Sequence, residues 1–98
     1  MTFQTEHFYV LGRVQGVGYR AWTVRTARQL HLSGWVRNRI NGCVEIMVHG
    51  SSESIEAFRQ LCLSGPAWSR VQHIQAVQIP DAVTPLIEDG IFVQKPTV

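Results

Sequence analysis

Apolar and polar positions alternate along residues 7–14, with Phe8, Val10, Gly12 and Val14 on one face and Tyr9, Leu11 and Arg13 on the other. A period of two predicts a first strand there. After a glycine-rich break the period changes. Tyr19, Trp22, Ala27 and Leu30 form one stripe of a helix over Tyr19–Leu30; Arg25 and Arg28 lie off it, solvated, and Ser33-Gly34 ends the segment. Alternation resumes over Trp35–Ile40 and Cys43–His49, and Asn41-Gly42 between them suits the type I′ turn of a tight hairpin. On the second strand, Val36, Asn38 and Ile40 share one face, and Trp35, Arg37 and Arg39 the other. Asn38 is thus an amide among inward-type neighbours. A buried amide needs partners, so it has either a structural hydrogen bond or a task.

Gly50-Ser51-Ser52 opens a second helix, with Glu53 and Glu56 in the first turn where they suit the helix dipole. Ile55, Phe58, Leu61 and Cys62 make its buried stripe, and Gly65-Pro66 stops it. Residues 70–79 read as a fourth strand, with Val71, Ile74, Val77 and Ile79 in imperfect alternation. A loop with Pro80, Asp81, Pro85, Glu88 and Asp89 leads to a last strand, Ile91–Lys95. The order β-α-β-β-α-β plus a short C-terminal strand is that of an α+β, ferredoxin-like two-layer sandwich, with two helices on one face of a mainly antiparallel sheet. Residues 1–98 read as a single domain, without repeats or linkers. Trp22, Trp35 and Trp68 are expected to be packing residues.

Composition narrows the class only a little. With 45% apolar residues, 16% charged residues and a net charge of +2, the chain is expected to be a soluble protein without a dense basic patch for nucleic acid. Its N-terminal region has neither a signal-peptide pattern nor a membrane span, so the expected location is cytoplasmic, with no membrane partner and a monomer as the default. Cys43 and Cys62 are read as reduced, Cys62 as a small core residue. His7, His31, His49 and His73 show no metal-ligand spacing and read as surface or half-buried side chains.

The chemistry concentrates in Gly12–Arg20, GRVQGVGYR. Gly12, Gly16 and Gly18 let the backbone take positive φ angles and turn N–H groups inward, and the stretch runs into a helix N-terminus. Arg20, in the first helical turn, can lean back over that hollow. The local physics describes an oxyanion cradle suited to a phosphoryl group. A Walker loop is excluded because Gly18 is followed by Tyr19-Arg20 rather than Lys and Ser/Thr. No Ser, Thr, Asp, His or Cys lies between Gly12 and Arg20 to form a phosphoenzyme. Such a site would bind the phosphoryl group and leave water to attack, which suits a substrate with a good leaving group, such as an acyl phosphate.

GRVQGVGYR, then GWVRN (Gly34 to Asn38) and NGCVEIMVHG, closely resembles the acylphosphatase family, as do GPAWSRV at 65–71 and the final strand. The resemblance implies the ferredoxin-like fold and hydrolysis of the carboxyl–phosphoryl anhydride bond, without metal or cofactor. It implies that Gln15, Gly16, Val17, Gly18 and Tyr19 hold phosphate through backbone N–H groups, that Arg20 binds phosphate, and that Asn38 positions the water. Inorganic phosphate or sulfate would compete with the small-molecule acyl phosphate. Asn41 stands where many members carry Asp, and Cys43 is not a usual family residue. The alternative is a non-catalytic or carbamoyl-phosphate-handling acylphosphatase-like domain. The large enzymes with such a domain are expected to carry a C-terminal extension with zinc-type cysteine pairs, and these 98 residues hold none. A ferredoxin-like RNA-binding module would carry aromatics on its central strands, whereas CVEIMVH has none and its Glu45 would repel phosphate.

Overall fold

A computed structural model describes residues 2–80 and 87–98. Seven elements follow in order: β1 (Phe3–Arg13), α1 (Tyr19–Gln29), β2 (Ser33–Asn38), β3 (Val44–Ser51), α2 (Ser52–Ser64), β4 (Arg70–Ile79) and β5 (Phe92–Gln94). The sheet order is β4-β1-β3-β2-β5, antiparallel throughout except that β5 runs parallel to β2. Helix α1 lies over β2 and β5, and α2 over β3 and β4, which makes the expected ferredoxin-like sandwich. The core is the set of side chains that alternation sends toward the helices. Phe8 and Val10 from β1, Val36 from β2, and Val44, Ile46 and Val48 from β3 are all fully buried against Tyr19, Ala27, Ile55, Phe58, Cys62 and Phe92. Phe58 joins the layers, stacked on Phe8 at 6.0 Å and edge-on to Phe92 at 6.2 Å between ring centroids.

Several elements depart from the alternation-based expectation. Strand β1 starts at Phe3 rather than at residue 7, because Phe3–Glu6 pairs with Val48–Ser51 although its side chains are mostly polar. The turn after β2 is not type I′. Arg39 N–H donates to Cys43 O (2.9 Å) and Gly42 N–H to Arg39 O (3.0 Å), and of the turn residues only Gly42 has a positive φ, +99°. That is a three-residue loop, a turn followed by a left-handed glycine, whereas type I′ needs positive φ at both central residues. Asn41 supports it by accepting from Cys43 N–H through Oδ1 (3.1 Å). Ile40 consequently leaves the strand and sits at the loop tip, 87% exposed, rather than beside Val36.

Helix α1 ends before Ser33-Gly34, which already belong to β2. Leu32 N–H reaches Ala27 O and His31 N–H reaches Arg28 O, with His31 left-handed at φ 58°. This is a Schellman closure with a histidine where glycine is usual. The helix buries Thr23 and Thr26 alongside Tyr19 and Ala27, since each hydroxyl donates to a carbonyl four residues back and so needs no water. Arg28 is not merely solvated: its guanidinium donates to Phe92 O (3.0 and 3.2 Å) and anchors β5. In α2, Leu61 is exposed rather than buried, and Ser51 caps the helix by accepting from Ser54 N–H. Trp68 is 80% exposed and packs no core, unlike the buried Trp35. The irregular alternation of β4 has a cause: Leu11 pairs with His73 but Gly12 with Val71, so Gln72 is skipped and Val71 and Ile74 return to the same face. A Cβ on Gly12 would collide there with the Arg70 carbonyl. Asp81 and Pro85 of the expected acidic loop lie outside the described residues.

Candidate active site

The turn from β1 into α1 is built to leave N–H groups open. Gly16 and Gly18 have φ of +74° and +80°, and a Cβ on either would meet nothing within 4 Å, so glycine is needed for backbone angle rather than for space. Gly18 caps α1 in a left-handed conformation with no side-chain hydrogen bond, and the first turn holds no acid. The first intrahelical bond is Trp22 N–H to Gly18 O (3.1 Å). The N–H groups of the first turn before it are therefore without helical acceptors, at the positive end of the helix dipole. Helix α2 is the contrast, closed by Ser51 and complemented by Glu53.

Strand β2 supplies the other side. Asn38 pairs across to Val44 and shares the helix-side face with Val36, while Arg37 and Arg39 face away. Its Oδ1 is buried and has no hydrogen-bond partner among the described residues. A pocket of about 210 Å³ is lined by Val14, Gly16, Gly18, Tyr19, Arg20, Ala21, Asn38 and Gln94. Five sequence-derived candidates thus meet in one hollow. Two do not line it. Val17 packs against the core, and Gln15 turns its side chain to the hairpin, Nε2 donating to Arg39 O (2.8 Å) and Cys43 O (2.9 Å). Gln94 was missed by the sequence reading; its position two residues after the buried Phe92 is the signal that puts it on the inner face.

Tyr19 lines the pocket, but its hydroxyl is committed to the core, donating to Cys62 O at 2.7 Å. Burial pushes that phenol far above its ordinary pKa, so it stays neutral. Burial also pushes the Cys62 thiol up to about 12. Both cysteines are free and buried, and among the described residues no group of His, Cys, Asp and Glu could hold a metal ion.

The helix-free face carries a different cluster. Glu45, 4% exposed, accepts from Arg37 Nε (2.7 Å) and Arg39 Nη1 (3.4 Å), lies 2.6 Å from His7 Nε2, and is reached by the Tyr9 hydroxyl at 3.4 Å. Arg37 and Arg39 are therefore held by a carboxylate. Burial alone would raise the Glu45 pKa, but the hydrogen bonds from Arg37 and His7 outweigh it and the net shift is downward. A larger cavity of about 620 Å³ opens beside this cluster, lined by Tyr9, Arg39, Cys43, Gln72 and Gln75 among others. Its arginine is already engaged by Glu45, and none of the described residues that line it belongs to a helix. The smaller pocket is the chemically equipped one.

The two-layer sandwich thus brings an uncapped helix N-terminus, Arg20 and an amide oxygen into one hollow, and an open helix N-terminus beside an arginine is chemistry suited to an anion. Comparison with known proteins specifies the family. The acylphosphatase family model matches residues 6–84. The chain is 43% identical over 91 residues to an acylphosphatase of Rhodospirillum rubrum, covering 91% of this chain and 92% of that protein. It is 45% identical over 75 residues to an acylphosphatase of Moorella thermoacetica, covering 76% and 81%. The crystal structure of acylphosphatase from Bacillus subtilis superposes with a TM-score of 0.84 at 29% identity, over 96% of this chain and 99% of that one. Full-length HypF, solved in a phosphate- and nucleotide-bound form, matches with a TM-score of 0.82 at 30% identity, over 98% of this chain but 12% of its own. The chain belongs to the acylphosphatase family of enzymes.

Proposed function

We propose that the chain hydrolyses small acyl phosphates to a carboxylate and inorganic phosphate in the Arg20–Asn38 pocket. The observation that carries this reading is the buried, unpartnered Asn38 Oδ1 in the same 210 Å³ hollow as Gly16, Gly18 and Arg20. An orphaned buried acceptor costs about 1–3 kcal/mol, and a bound water is the simplest partner that removes the cost.

In this mechanism the N–H groups of the Gln15–Tyr19 loop and of the first helical turn surround the phosphoryl oxygens. Arg20 pairs with two of them through its planar fork. Asn38 Oδ1 accepts a hydrogen from water and turns the water's lone pair toward phosphorus. A bond forms from water oxygen to phosphorus as the bond from phosphorus to the acyl oxygen breaks. The water's proton passes to solvent or to the product phosphate. The leaving carboxylate is stable unprotonated, so no general acid is needed, and among the described residues that line the pocket none is a carboxylate or histidine. Catalysis of this kind rests on positioning and charge stabilisation in a loose transition state.

The enzyme would work as a cytoplasmic monomer of one domain. Two free buried cysteines suit a reducing compartment, and no helix among the described residues is long and apolar enough to cross a membrane. The test is hydrolysis of benzoyl or acetyl phosphate with and without a chelator. Turnover that survives chelation and is inhibited competitively by phosphate or sulfate is expected. Absence of turnover, or its loss on metal removal, overturns the reading. The likeness to part of HypF favours a second reading, a phosphate-handling domain of a larger enzyme; failure to turn over free acyl phosphates while still binding phosphate would favour it.

A further inference from the structure

The two halves of the pocket come from distant parts of the chain, and one side chain ties them together. Gln15 lies between Val14 and Gly16, both of which line the pocket, but its amide points to the β2–β3 hairpin. Nε2 donates one hydrogen to Arg39 O at 2.8 Å and the other to Cys43 O at 2.9 Å. Arg39 directly follows Asn38 in the chain. Arg39 N–H also bonds to Cys43 O, so the amide grips the neck of the loop that leaves the Asn38 strand.

Resting on the reading just given, we propose that Gln15 is a positioning residue whose side chain sets the spacing between the phosphate loop with Arg20 and the water-bearing Asn38. No other residue of Val14–Arg20 makes a side-chain hydrogen bond to the hairpin among the described residues. The residue type fits the job. One amide nitrogen offers two hydrogens to two converging carbonyls, which a methionine of similar length cannot do and a carboxylate would repel. Asparagine is one methylene shorter. A displacement of the order of 1 Å between bound phosphorus and water can cost about 10²-fold in rate, so a lock on that spacing acts on turnover more than on binding.

The experiment compares kcat and KM for benzoyl phosphate, and Kd for inorganic phosphate, in the wild type, Gln15→Met, Gln15→Glu, Asn38→Ala and Gln15→Met/Asn38→Ala. Gln15→Met is expected to lower kcat about 10–100-fold while phosphate Kd stays within about threefold, because the loop N–H groups and Arg20 remain together. In the Asn38→Ala background the same change should lower the residual rate by less than about threefold, since there is no oriented water left to misplace. Gln15→Glu should regain turnover as pH falls, because a protonated acid can donate to one carbonyl. Gln15→Met with unchanged kcat, parallel losses of kcat and phosphate affinity, full multiplication in the double variant, or no acid rescue of Gln15→Glu would each overturn the inference. If the wild type does not hydrolyse benzoyl phosphate, the functional reading itself fails; an active wild type with an indifferent Gln15 overturns only the positioning role.

Discussion

Removing the Glu45 carboxylate is the sharpest perturbation of the helix-free face. Glu45→Ala leaves Arg37, Arg39 and His7 facing a gap where each had a partner within 3.4 Å. Breaking a fully buried ion pair from one side costs about 3–5 kcal/mol. Here the arginine side chains are 25% and 36% exposed against 5% for Glu45, so the stranded cations reach water and part of that penalty is relieved. We expect a loss of about 2–3 kcal/mol at pH 7, in the range for hydrogen bonds to charged groups. For a domain of this size that lowers Tm by about 10–20 °C. The pH dependence follows from the direction of the shift. A carboxyl whose folded-state pKa is depressed below the ordinary value of 4.5 stabilises the fold fully above that value, and the contribution disappears as pH falls through the folded-state pKa. The stability gap between wild type and Glu45→Ala should thus be complete at pH 7 and close progressively in acid below pH 4.5. Urea unfolding of both proteins across this range measures it. A gap under about 1 kcal/mol at pH 7, or one that does not narrow in acid, would refute the assignment of Glu45 as the charge that holds these arginines.

Arg20→Ala should abolish measurable phosphate binding and turnover together, and Arg20→Lys should restore only part of each, because an ammonium cannot pair with two oxygens in one plane; calorimetric phosphate titration alongside benzoyl phosphate hydrolysis checks both. Phe58→Ala, at a fully buried ring between Phe8 and Phe92, should cost about 3–5 kcal/mol in urea unfolding without changing KM in whatever fraction stays folded.

Most of the architecture was legible because each element carried its own period, and the misreadings share a physical origin. Asn41-Gly42 announces a hairpin, but which residues close it depends on the Arg39–Cys43 pair, and that choice sends Ile40 to solvent. Gln4–Glu6 has no apolar rhythm of its own and becomes strand only because β3 offers a ladder to pair with. Thr23 and Thr26 look polar in sequence but can be buried because their hydroxyls are satisfied within the helix. Glu45 reads as an isolated acid; its role depends on a register that places Tyr9 and Arg37 opposite it. In the pocket, Arg20 and Asn38 were accessible from motif and strand parity. Gln94 shares the inner face with Phe92 by the same parity, but the grip of Gln15 on the hairpin arises from contacts between segments distant in the chain, which local patterns do not encode.

The proposed mechanism divides the labour, with phosphate held by the loop and Arg20 and water oriented by Asn38. It is tested most directly by measuring kcat for benzoyl phosphate and Kd for inorganic phosphate in Asn38→Ala. The expected result is a fall in kcat of about 10²-fold or more with phosphate affinity within about threefold of wild type. Full activity in this variant, or loss of phosphate binding in step with activity, would contradict it.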